Sequence, residues 1–165
     1  MSLELKVHPE VDEALRAHKP VVLLETAVLT CGLPRSTWPQ SFGAPPSGLS
    51  SDEPMHLGTL HAMAAAVRET GSVPAITAIL DGQPCVGLDD AMLTQLAMDD
   101  AGEKASAASI ATCMADQLSA GTTVSATLHL GAALAENGRD IPRVFATGGI
   151  GGVHLGWPDK LDVSA

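Results

Sequence analysis

Apolar positions along this chain switch between helical spacing and short continuous runs. Within Pro9–His18, Val11, Ala14 and Leu15 share one helical face, and Pro9 is acceptable in a first turn. Pro20–Leu24 then reads as a short buried strand that ends at Glu25. Thr30–Pro54 is dense in Pro, Gly and Ser and carries no periodicity. A loop that long inside a compact domain is either functional or an insertion. Leu57, Leu60, His61, Ala64, Ala65 and Val67 predict a helix closed by Gly71 at its C-terminal cap. Ala75–Leu80 predicts a strand, Asp81-Gly82 a turn, and Gln83–Val86 its hairpin partner. Asp89 or Asp90 should cap a helix running to about Met98, with Leu93 and Leu96 facing inward. Two Ala-rich stretches, Ser109–Leu118 and Thr123–Ala135, predict further helices separated by Ala120-Gly121. Arg143–Thr147 is the last clear strand, and its Val144-Phe145-Ala146 run reads as buried. Helices alternating with short apolar strands predict a layered α/β domain.

Composition narrows this picture. At 165 residues the chain can form one domain with a real core. Its 45% hydrophobic and 17% charged residues place it among compact globular proteins. With two Phe, two Trp and no Tyr, the core must be filled by Ala, Leu, Val and Ile. A net charge of −10 with nine Lys and Arg argues against a nucleic-acid partner, because neutralising phosphates needs cations. It leaves room for a small phosphorylated ligand, which a few placed cations and backbone amides can hold. Cys31, Cys85 and Cys113 are odd in number and lack a CxxC pattern, so reduced thiols are expected. No apolar run approaches the roughly 20 residues needed to cross a bilayer, and no signal segment opens the chain. A soluble, cytoplasmic protein with no membrane partner is the expectation.

Candidate chemistry concentrates at strand ends. Glu25 follows Val21-Val22-Leu23-Leu24, where desolvation suits a carboxylate to acid–base work, although a solvated or ion-paired strand end fits the same spacing. Gly121-Thr122-Thr123-Val124-Ser125 places hydroxyls and amides at a helix start, which suits either an anion or plain N-capping by Thr122 or Thr123. Lys104 is one of four lysines and by spacing alone is a surface residue. Thr147 leads into Gly148, Gly149, Gly151 and Gly152, with His154 at the exit. Glycine loses the most backbone entropy on folding, so this cluster predicts a close approach of backbone to an oxyanion. Asp162 could offer oxygen to a hard cation.

Several of these segments, taken in order, resemble the pseudouridine-5′-phosphate glycosidase family, also called indigoidine synthase A-like. They are Val22-Leu23-Leu24-Glu25-Thr26 with Gly32-Leu33-Pro34, Gly71-Ser72-Val73-Pro74-Ala75, Ile79-Leu80-Asp81-Gly82 and Val86-Gly87-Leu88. Lys104-Ala105-Ser106, Gly121-Thr122-Thr123-Val124, Phe145–His154 and Asp162-Val163-Ser164-Ala165 complete the set. The resemblance spans nearly the whole chain except the 35–53 loop, which reads as an insertion in a single domain over 1–165. It implies an α/β/α sandwich of the indigoidine synthase A-like type, incomplete in this chain. It also implies reversible cleavage of the C–C glycosidic bond of pseudouridine 5′-phosphate to uracil and ribose 5-phosphate. A C-glycoside has no heteroatom leaving group to protonate, so the two-carboxylate route of O-glycosidases does not transfer. The family instead opens the ribose and holds it as a Schiff base on a lysine.

By this resemblance Glu25 matches the proton donor, and Lys104 and Val124 match substrate-binding positions, Lys104 on the phosphate. Thr123, Thr147, His154, Ser164 and Ala165 fall in the same substrate-contacting segments. Asp162 matches a manganese ligand, and a homo-oligomer is implied, a trimer in relatives. The sequence also departs from the family. The Schiff-base lysine lies beyond the Asp162 segment in relatives, and Lys6, Lys19, Lys104 and Lys160 do not match it. Cys31 stands for a histidine, Ala107-Ala108-Ser109 for Arg-Arg-Asp, and Leu155 for an arginine. Two readings follow: a family enzyme represented by its N-terminal part and inactive alone, or a non-catalytic remnant that binds a sugar phosphate or a partner.

Overall fold

The computed structural model of the protein describes residues 3–99 and 103–148. Its elements run β1 (Lys6–Val7), α1 (Pro9–Arg16), β2 (Val21–Leu24), a π-helix (Val28–Gly32), a 3-10 turn (Gln40–Phe42), α2 (Met55–Glu69) and β3 (Val73–Leu80). They continue with β4 (Gln83–Val86), α3 (Asp90–Met98), β5 (Glu103–Ala105), α4 (Ile110–Ala115), β6 (Ala120–Thr122), α5 (Val124–Glu136) and β7 (Val144–Ala146).

The seven strands form one sheet built around β3, in the order β1-β4-β3-β2-β7, with β6 also on β3 and β5 on β6. Side chains alternate across β3. Ala75 and Ile79 join one buried cluster with Val11 and Leu15 of α1, Ile110 of α4, and Leu130 and Leu134 of α5. Ile76, Ala78 and Leu80 join the other with Leu60 of α2, Leu93 and Leu96 of α3, and Leu29 of the π-helix. Helices therefore cover both faces, giving the layered α/β domain that the apolar pattern predicts and the α/β/α order that the family resemblance implies. Asp81 (φ 49°) and Gly82 (φ 75°) form the two-residue hairpin turn that returns the chain as β4. Asp89 caps α3, accepting from the Met92 amide at 2.8 Å.

Four expectations change. Ala120–Thr122 is a strand rather than a helix separator, because β3 is long enough to offer β6 its second half. The helix expected over Ser109–Leu118 shortens to Ile110–Ala115, ended by Gln117 in the left-handed region (φ 53°). Thr30 belongs to the π-helix rather than to the loop. Val144–Ala146 is a strand but not a buried one: Val144 is 54% exposed, and β7 pairs only with β2 among the described residues.

The Pro-rich loop is pinched shut at its base. The Met55 amide donates to Ser36 O (2.9 Å), the His56 amide donates to Pro34 O (3.2 Å), and Thr37 bridges Pro54. Arg35 clamps the carbonyls of Ala97 and Asp99 at 3.1 and 2.7 Å, tying that base to the end of α3. His56 is buried there, and neither ring nitrogen has a hydrogen-bond partner among the described residues. Burial pushes its imidazole down, against the weaker pull of the Ala97 carbonyl.

Candidate active site

The sheet contains a joint that creates a site. The parallel strand β2 occupies one side of β3 from Val21↔Val73 to Leu24↔Ile76. The antiparallel strand β6 occupies the same side further along, with Ile79↔Ala120 and Ala78↔Gly121. The two strands run toward each other, and their carboxyl ends meet opposite Thr77. β7 lies parallel to β2 (Leu24↔Ala146), and β5 parallel to β6 (Ala105↔Thr122), so all four strands deliver their carboxyl ends to this joint. In open α/β sheets, ligands bind where carboxyl ends converge at such a change of direction.

Glu25 leaves the end of β2, and Thr147 leaves the end of β7. The Thr147 hydroxyl donates to Glu25 Oε1 at 2.5 Å, joining residues 122 positions apart. Glu25 is half-buried, so it is neither a free surface acid nor a core residue.

On the other side of the joint, Lys104 stands in register with Gly121 and is half-buried. The Thr123 amide donates to Ala105 O at 2.9 Å, tying the start of α5 to the end of β5. Val124 opens α5, whose first turn holds no acidic residue, so the positive end of the helix dipole is not compensated there. Neither threonine acts as a side-chain cap. Thr123 sits at the N-cap in extended backbone with no capping bond, and Thr122 ends β6 with its hydroxyl turned into the sheet.

Sequence reasoning missed what holds the joint together. Thr26, Thr77, Thr122 and Thr127 are all fully buried. Thr26 Oγ1 accepts from the Thr122 amide (2.9 Å) and donates to Thr77 O (2.6 Å). Thr122 Oγ1 also donates to Thr77 O (2.8 Å) and accepts from Thr127 Oγ1 (3.1 Å). The signal was available: a threonine inside the apolar run Val73–Leu80 must find partners for its hydroxyl. Gly121 sits where the turn after β2 crosses β6. A Cβ there would lie 2.5 Å from Thr30 Oγ1 and 2.6 Å from Thr26 O.

The structure thus brings Glu25, Thr147, Lys104, Thr123 and Val124 to one joint. Gly149–Gly152, His154, Asp162, Ser164 and Ala165 lie outside the described residues. Among the described residues no three His, Cys, Asp or Glu side chains gather as metal ligands, and Asp162, the expected manganese ligand, lies outside them. A groove of about 930 Å³ lined by Leu15, His18, Lys19, Asp140 and Arg143 opens at the amino ends of β2 and β7, away from Glu25. No described helix is long and apolar enough to cross a membrane.

A family model described as indigoidine synthase A like protein matches residues 48–165. The chain is 41% identical over 165 residues to the pseudouridine-5′-phosphate glycosidase of Jannaschia sp. (strain CCS1), covering 100% of this chain and 47% of that protein. It is 39% identical over 163 residues to that of Myxococcus xanthus (strain DK1622), covering 98% and 46%. A solved indigoidine synthase A-like protein from Thermotoga maritima superposes with a TM-score of 0.66 at 27% identity, over 98% of this chain and 44% of that one. The prealnumycin C-glycosynthase AlnA, in complex with ribulose 5-phosphate, superposes with a TM-score of 0.65 at 31% identity, over 91% and 40%. The chain therefore spans less than half the length of these relatives.

Proposed function

The chain belongs to the indigoidine synthase A like family, and we propose that it carries the N-terminal share of a pseudouridine-5′-phosphate glycosidase site. The observation that carries this reading is the Glu25 carboxylate held at 2.5 Å by Thr147 where the carboxyl ends converge. Cleavage of a C–C glycosidic bond leaves the uracil carbon with the bonding electron pair, and that carbon needs a proton. Glu25 is the group at the joint able to supply it. With Oε1 engaged by Thr147, the proton travels on Oε2, and the reverse reaction returns it there.

Lys104 and the first turn of α5, at Thr123 and Val124, take the 5-phosphate. A lysine and an uncompensated helix start both favour a dianion. Thr147 orients the acid, and His154, Ser164 and Ala165 complete the substrate contacts by their place in the family motifs. The Schiff-base step has no assigned residue here, since none of Lys6, Lys19, Lys104 and Lys160 matches the family's nucleophile. Asp162 is the expected manganese ligand. Cytoplasmic location is proposed from the lack of a long apolar run in the sequence, and trimeric assembly from the family resemblance.

A second reading, a chain that binds the sugar phosphate without turning over the nucleotide, is favoured by Ala107-Ala108-Ser109 in place of a basic run. Calorimetry with ribose 5-phosphate tests what both readings share. Saturable binding that Lys104→Ala abolishes is expected, and no heat at millimolar ligand overturns them. Uracil release from pseudouridine 5′-phosphate, followed by chromatography, then separates an acting enzyme from a chain that only binds.

A further inference from the structure

The role proposed for Glu25 and Val124 leaves four buried hydroxyls unused. Burying a hydroxyl is costly unless it is bonded, and four at one point of a core need a return. These bonds do not fill a void; they replace a missing piece of ladder. Leu24 pairs with Ile76, and Gly121 pairs with Ala78, so Thr77 falls between the end of one strand and the end of the other.

At that gap the Thr77 carbonyl accepts from Thr26 Oγ1 (2.6 Å) and Thr122 Oγ1 (2.8 Å), one from each incoming strand. The Thr77 hydroxyl donates to Leu24 O at 3.2 Å, one residue before Glu25, and lies 2.8 Å from Thr122 Oγ1. The strand ends then bond each other, Thr26 N to Thr122 O (3.2 Å) and Thr122 N to Thr26 Oγ1 (2.9 Å). Thr77 is the residue that touches both strand ends.

We propose that Thr77 is a positioning residue: acting through Thr26 and Thr122, it fixes the spacing between Glu25 at the end of β2 and the first turn of α5 beyond β6. This rests on the reading of those two groups as the acid and the phosphate grip on one pentose 5-phosphate. A rigid joint matters there because a misplacement of about 1 Å between an acid and a bound phosphate is enough to lose productive geometry. Thr77→Val keeps the branched shape and removes only the hydroxyl. Thr127 serves as control, since among the described residues its hydroxyl meets the Thr122 and Thr77 hydroxyls and no backbone atom.

The test uses Thr77→Val, Thr77→Ser and Thr127→Val in the full chain. Two readouts are taken: the ribose 5-phosphate dissociation constant by calorimetry, and the carbon-13 resonance of the Glu25 carboxyl in the free protein. Thr77→Val is expected to weaken binding about tenfold and to displace the Glu25 resonance. Thr77→Ser should restore both, and Thr127→Val should leave both near wild type. An unmoved Glu25 resonance in folded Thr77→Val overturns the proposal, as does a Thr127→Val effect of equal size or failure of serine to restore. If wild type does not bind the sugar phosphate, the functional reading fails, and the Glu25 resonance still decides the positioning claim. If Thr77→Val does not fold, Thr122→Val read at Glu25 takes its place by the same criteria.

Discussion

Replacing Gly121 by alanine should destabilise the protein, although such a change often does the opposite. The new Cβ would sit 2.5 Å from Thr30 Oγ1 and 2.6 Å from Thr26 O. Both lie roughly 1 Å inside the optimum heavy-atom separation of about 3.5 Å. Thr30 can turn its side chain away, but the Thr26 carbonyl is backbone, and the Thr26 amide and hydroxyl are both committed to bonds at the joint. Overpacking of this kind costs about 1–3 kcal/mol. The lost flexibility of the unfolded chain offsets about 0.4–1 kcal/mol of that. A net loss of about 1.3 kcal/mol lowers Tm by roughly 3–5 °C for a chain of this size. Urea denaturation gives the direct reading: at an m-value of about 2 kcal/mol/M, the midpoint should fall by about 0.7 M with m unchanged. An unchanged or higher midpoint would refute the reasoning. Adding Thr30→Ala should recover only part of the loss, and full recovery would mean that the backbone contact carries no weight.

Other perturbations read different parts of the fold. Burial holds His56 neutral in the folded state, so the unfolded chain takes up the proton first as pH falls below about 6.5. Stability should therefore drop from pH 7 to pH 5, and His56→Leu should flatten that slope in urea titrations at each pH. Glu10 and Asp12, held down by Arg68 and Arg139, act in a lower window, where their stabilisation is lost as the carboxylates protonate. Burial pushes the Cys85 thiol up to about 11. The unfolded thiol ionises first above pH 9, so stability falls between about pH 9 and 11, by on the order of 2 kcal/mol. Cys85→Ala should remove that part of the decline, and iodoacetamide at pH 8 should label exposed Cys31 well before Cys85. Replacing residues 38–52 with two glycines should leave stability unchanged or raise it by up to about 1.5 kcal/mol, because the loop is closed at its base and shortening lowers closure entropy. A loss above 1 kcal/mol in thermal melts would show instead that loop packing over α2 matters.

Much of the fold was legible because its signals are local. The Asp81-Gly82 turn, the Asp89 cap and the apolar faces of α1, α2 and α5 each rest on residues within a turn or two of one another. The short strands β5 and β6 were not legible. Three residues such as Ala120-Gly121-Thr122 carry no periodicity, and only the spare half of β3 makes them a strand. The exposure of Val144 was missed for a related reason: an apolar run does not say how many neighbours its strand has. At the site, Glu25 could be singled out by its place after a buried strand. Its partner Thr147 was found only through the glycine motif that follows, since nothing local links positions so far apart. The threonine joint went unread because Thr77 sits inside an apolar run and looks like a β-branched filler, although its hydroxyl makes three buried contacts.

The head-on meeting of β2 and β6 also bears on the order in which the chain is made. Residues 21–24 and 73–86 emerge early, and they can pair as β2, β3 and the β4 hairpin before residue 120 leaves the ribosome. Until then the far half of β3 lacks β6, and Thr26 and Thr77 face water at an open sheet edge. Valine would strip the finished joint of its hydroxyl bonds, and it would also make that waiting edge adhesive. Threonine keeps the branched shape that a strand favours and stays wetted until β6 arrives. The joint is thus suited both to the completed protein and to the half-made one.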